Sequence, residues 1–91
     1  MRTLDTLQAV QQRLAAHYET QRPNLLPNEE HAFLSMLGKM QIMAEFLALP
    51  PDLVAKLPAS GEGSMAEARK MAKAMVADVD AYLVEKRLAM H

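Results

Sequence analysis

Leu4, Leu7, Val10, Leu14 and Tyr18 recur at steps of three and four residues, with Gln8, Gln12, Arg13 and Glu19 on the opposite side. This spacing lays one apolar stripe along a helix and predicts a helix over residues 3–20. A second stripe, Phe33, Met36, Leu37, Met40, Met43, Ala44 and Leu47, predicts a helix over 29–49. A third runs through Met65, Ala68, Ala72, Met75, Val76, Val79, Leu83 and Met90, interrupted near its end by Lys86, and predicts a helix over 65–89. At about 1.5 Å per residue the last helix is roughly 39 Å long against roughly 26 Å for the first, so its C-terminal end is expected to overhang the bundle.

Proline and glycine mark the joints. Gln21-Arg22-Pro23-Asn24 ends the first helix, and Leu25 and Leu26 are expected to fold back over the end of the core. Asn28, after Pro27, is the expected N-cap of the second helix, with Glu29 and Glu30 favoured at its positive end. Pro50-Pro51 stops that helix, because a residue before proline is pushed out of helical geometry and proline itself fits only a first turn. Residues 51–57 then form a short helix closed by Pro58, and 58–64 form a flexible loop. Ser64-Met65-Ala66-Glu67 has the form of a reciprocal capping box: serine serves the amide three residues on, and glutamate reaches back. The expected fold is all-α, a small helical bundle of three long helices plus one short helix, in a single domain over 1–91.

Two of these helices carry more apolar surface than one core can use. Opposite its core stripe, the second helix reads His31, Ser35, Gly38, Ile42, Phe46 and Leu49, with Lys39 and Glu45 flanking. Small Ser35 and Gly38 would let another backbone approach, and Ile42, Phe46 and Leu49 would fill the groove beside it. On the last helix Ala74, Ala77, Ala81, Val84 and Leu88 repeat with the alternating spacing of a coiled-coil seam. Alanine is also a neutral filler of exposed helix positions, and the eight methionines serve core packing as readily as an adaptable surface. Large side chains clustered on one face are contact marks. The expected interface is therefore Ser35, Gly38, Ile42, Phe46, Leu49, Ala77, Ala81, Val84 and Leu88. Its occupant is a second copy, a different protein, or, for Phe46 and Leu49, the short helix folding back.

Composition narrows the chemistry. Half of the 91 residues are hydrophobic, chiefly Ala, Leu and Met, and the aromatics are Tyr18, Phe33, Phe46 and Tyr82. Ten Lys and Arg against eleven Asp and Glu leave a charge of −1, so general attraction to nucleic acid or an anionic membrane is not expected. No cysteine means no disulfide and no thiolate chemistry, and His17, His31 and His91 alone do not supply a usual zinc set. The start resembles no signal peptide and no long uncharged apolar run exists, so no membrane contact and a cytoplasmic location are expected.

Residues 44–57 resemble the DNA-binding helix-turn-helix in the spacing of Ala44, Leu49, Val54 and Leu57. Ala48 stands where the turn glycine usually is, and the second helix would offer only Asp52, Ala55 and Lys56 to base edges. The basic clusters Arg69-Lys70 with Lys73, and Lys86-Arg87, lie among Asp78, Asp80 and Glu85 as on an ordinary solvated face. Catalytic patterns are thinner still. Glu29, Glu30 and His31 lack the Glu-x-x-His spacing of bundle metal sites, and Ser35 has no identifiable base. Gly61-Glu62-Gly63-Ser64 lacks the lysine and strand of a phosphate loop. The sequence thus points to a small non-enzymatic protein-binding module, a regulator, inhibitor, chaperone or adaptor that also self-associates. It is expected to use no cofactor or metal. A helix-turn-helix transcriptional regulator is the alternative.

Overall fold

A computed structural model describes the backbone of residues 2–89 and the side chains of residues 2–86. The order is α1 (Thr3–Gln21), a 3-10 turn (Arg22–Asn24), α2 (Pro27–Leu47), α3 (Pro51–Val54) and α4 (Met65–Ala89). No strand occurs among the described residues, and the fold is the expected all-α bundle. α1 packs closely against both α2 and α4, which approach each other less tightly. Cross-helix contacts set the directions. Gln11 on α1 donates to Gln41 on α2 at 3.0 Å, Arg13 pairs with Asp80 on α4 at 2.9 Å, and Tyr18 lies against Phe33 near the start of α2. α1 and α4 therefore run parallel, with α2 antiparallel to both.

The core stripes lie where the three- and four-residue spacing places them. Leu7, Val10, Leu14 and Tyr18 of α1, Met40 and Ala44 of α2, and Ala68, Ala72 and Val79 of α4 are buried. Phe33, Met36, Leu37, Met43, Leu47, Met75, Val76 and Leu83 pack half-buried around them. Ala44, Ala68 and Ala72 are the small partners that let large side chains from the facing helices interdigitate. Met90 of the third stripe lies outside the described residues.

Helix ends correct several boundaries. α2 begins at Pro27, not at 29, with Leu26 rather than Asn28 as its N-cap residue. Pro27 sits at the first helical position, where its missing N–H is no loss, and the Glu29 carboxylate accepts the Leu26 amide at 2.9 Å. His31 accordingly falls in the second turn. The same helix stops at Leu47 instead of 49, because Pro50 holds Leu49 out of helical geometry. α3 is a single turn over 51–54, not 51–57. Its hydrogen bonds change from Ala55 N–H to Pro51 at four residues to Lys56 N–H to Leu53 and Leu57 N–H to Val54 at three, as the chain tightens ahead of Pro58.

The start of α4 is where the capping residues predict, but only half of the reciprocal box forms. Ser64 Oγ accepts the Glu67 amide at 3.1 Å and donates to the Gly61 carbonyl at 2.7 Å. The Ser64 amide also bonds to the Gly61 carbonyl, which leaves Glu67 nothing to reach back for. Gly61 and Gly63 make this turn at φ of 77° and 85°, where other residues are strained. Ser64 is buried and satisfied. At the other end of the bundle, Leu25 is half-buried as expected, but Leu26 is 62% exposed and does not cover the core. Asn24 and Leu25 line a recess together with Lys86 of α4.

Candidate functional site

The outer side of α2 is open. Ile42 is 68% exposed and Leu34 is 49% exposed. Ser35 and Gly38 are exposed with them, and a Cβ built on Gly38 would meet nothing within 4 Å. Leu34, Gly38 and Ile42 follow each other at four-residue steps and so form one ridge on the helix surface. His31 and Glu45 extend this face toward its two ends, and Glu45 accepts from Gln41 at 3.3 Å. Phe46 and Leu49, placed with this group from the sequence, are half-buried at the lower end.

The α4 members of the expected interface stand apart. Ala77 and Ala81 are exposed and Val84 is half-buried, while the side chain of Leu88 lies outside the described residues. Lys70, Lys73 and Ala74 share that outer side, so the described part of the stripe is small side chains among lysines. Leu34 is the member of the α2 face that the sequence pattern missed, because it sits beside the half-buried Leu37 at the border of the core stripe. Four-residue spacing from Gly38 and Ile42 was the signal for it.

A second feature comes from the loose contact between α2 and α4. An open groove of about 410 Å³ runs between them, floored by Leu14, Phe33, Met36 and Val79, with Glu29, Asp78 and Lys86 at its margins. It continues into a smaller recess of about 260 Å³ lined by His17, Gln21, Asn24 and Leu25. Aromatic rings from all three long helices meet here. His17 lies 5.7 Å from Tyr82 and 5.9 Å from Phe33, Phe33 lies 5.9 Å from Tyr82, and the Lys86 ammonium stands 5.6 Å from the Tyr82 ring centre. Burial pushes the Tyr82 phenol above its usual pKa, helped by Glu29 and Glu85. Tyr18 donates to Glu30 at 2.9 Å, and burial followed by this bond raises its pKa as well. Together the groove and its recess bring the Glu29 and Asp78 carboxylates, the Lys86 amine, the Tyr82 phenol and the His17 imidazole to one region.

For the alternative DNA reading, the second helix is one turn long, with Asp52, Leu53, Ala55 and Lys56 exposed around it. Recognition helices present several residues to base edges along a groove, which one turn does not provide. Among the described residues, no three His, Asp or Glu side chains gather where they could hold a metal ion, and no helix is long and apolar enough to cross a membrane. No protein-family model, curated protein or solved structure matches the chain.

Proposed function

We propose that this chain is a small non-enzymatic protein-binding module, a regulator, inhibitor, chaperone or adaptor of the cytoplasm that works by occupying a protein surface. The observation that carries this reading is the open ridge Leu34, Gly38 and Ile42 on α2. α1 supplies the internal contrast: its outer side carries Gln8, Gln12, Arg13 and Glu19, all exposed, as a helix facing water requires. α2 instead turns leucine and isoleucine to the solvent around a glycine that its own fold does not need. A mid-helix glycine destabilises a helix by about 1 kcal/mol relative to alanine, and contact with another backbone offsets that.

Affinity capture from nuclease-treated source lysate, with the native chain and with Ile42→Glu, tests the proposal. Ile42 is exposed, so the charge leaves helix content unchanged by circular dichroism. The expected result is loss of captured protein, or a fall in mass by light scattering, in the variant alone. Identical capture and identical mass for both chains would overturn it.

A further inference from the structure

The outer face of α2 has a feature that singles out one occupant: its residue pattern is complementary to itself in reverse. Counting outward from Gly38, Leu34 and Ile42 stand four residues away on either side, and His31 and Glu45 seven. If two copies of α2 cross antiparallel with Gly38 at the twofold axis, Leu34 of each comes level with Ile42 of the other, and His31 with Glu45. Apolar groups thus meet apolar groups, and a carboxylate meets an imidazole. A parallel pairing would instead set Glu45 against Glu45, which is unfavourable. Lys39 leaves the contact at its flank, where a long side chain keeps its ammonium in water.

No described residue comes within 4 Å of a Cβ built on Gly38, so two bare glycine positions can bring the helix backbones together at the crossing point.

From these observations we infer that a second copy of this chain occupies the outer face of α2, in an antiparallel pairing centred on Gly38. The inference rests on the reading of that face as a contact surface and adds its partner and its register. A contact made mainly by one helix per copy is modest in size, so the dimer is a concentration-dependent one.

Sedimentation velocity over a concentration series and disulfide trapping test it together. The chain has no cysteine, so Gly38→Cys introduces a single thiol with no background. At the twofold axis its Cα atoms fall within the roughly 7 Å that a disulfide can bridge, and mild oxidation gives the covalent dimer rapidly. Ala77→Cys, on the exposed side of α4, serves as control and cross-links at the slow collisional rate. Ile42→Glu removes two apolar anchors per dimer and weakens pairing by at least about a hundredfold. A purely monomeric mass at every concentration would overturn the inference. So would a dimer that persists in Ile42→Glu, or Ala77→Cys cross-linking as fast as Gly38→Cys. A monomeric chain from which Ile42→Glu still removes a captured protein would defeat only the self-pairing. A variant indistinguishable from the native chain in both assays would defeat the contact reading too.

Discussion

Replacing Gly38 by alanine should stabilise the dilute protein and weaken the proposed pairing, opposite effects from one methyl group. Gly38 lies well inside α2, its φ is not positive, and an added Cβ would have no neighbour within 4 Å. The methyl group therefore meets neither a clash nor a core, and what remains is helix propensity, which favours alanine over glycine by about 0.8–1.0 kcal/mol. For a domain of this size, that corresponds to a rise in Tm of roughly 4–8 °C. Thermal unfolding followed by circular dichroism at low concentration measures it. At concentrations where copies pair, the two methyl groups stand between the helices at their crossing point, and the gain in Tm shrinks or reverses. A destabilised Gly38→Ala chain at low concentration would show that the position is already covered, and the argument for an open face would fail. A gain that is the same at every concentration would show that pairing does not pass through Gly38.

Three further outcomes follow from the bundle itself. Leu7 is fully buried, so Leu7→Ala should lower stability by about 2–5 kcal/mol in urea titration, while half-exposed Leu34→Ala should stay within about 0.5 kcal/mol in dilute protein. Equal losses at the two positions would contradict the assignment of core and face. Ser64→Ala removes the cap of α4 and should lower stability by about 0.5–2 kcal/mol, seen as a drop in Tm; no change would mean that the Ser64 to Glu67 bond contributes nothing. The raised pKa of Tyr18 means the folded phenol holds its proton more tightly than the unfolded one. Its contribution is present below the unfolded value near 10.0 and is lost as pH rises through the higher folded value. Tyr18→Phe should therefore lose less stability than the native chain between about pH 9 and about pH 11, with Tyr82 supplying the remaining slope; parallel curves for both chains would refute the assignment.

The core stripes were legible because a helix's rotation is set by its own backbone: once residues 3–20 are helical, Leu7, Val10 and Leu14 must share a side whatever they pack against. The same reasoning applied to the opposite side found Ser35, Gly38 and Ile42, all exposed in the structure. Boundaries were less legible, since they depend on which of several competing groups takes each free amide. At α2 a glutamate three residues on took the Leu26 amide and displaced the expected Asn28 cap. At Ser64 the Gly61 carbonyl arrived before Glu67. The groove between α2 and α4 could not be read at all. Its existence depends on the spacing of two helices, and its rings, His17, Phe33 and Tyr82, come from three.

Alanine is the other blind spot, for a different reason. Ala77 and Ala81 suit water and a close helix contact about equally well, so their exposure on α4 leaves both uses physically open. Ile42 and Leu34 are different, since at 68% and 49% exposure each forgoes part of the about 1.5–3 kcal/mol that full burial is worth. A glycine placed between them removes a further share of helix stability. Three unfavourable choices on one ridge, beside an α1 whose outer side makes none, are consistent with a helix whose lowest free energy includes a partner. The reversed symmetry about Gly38 is the reason for proposing that this partner is another α2.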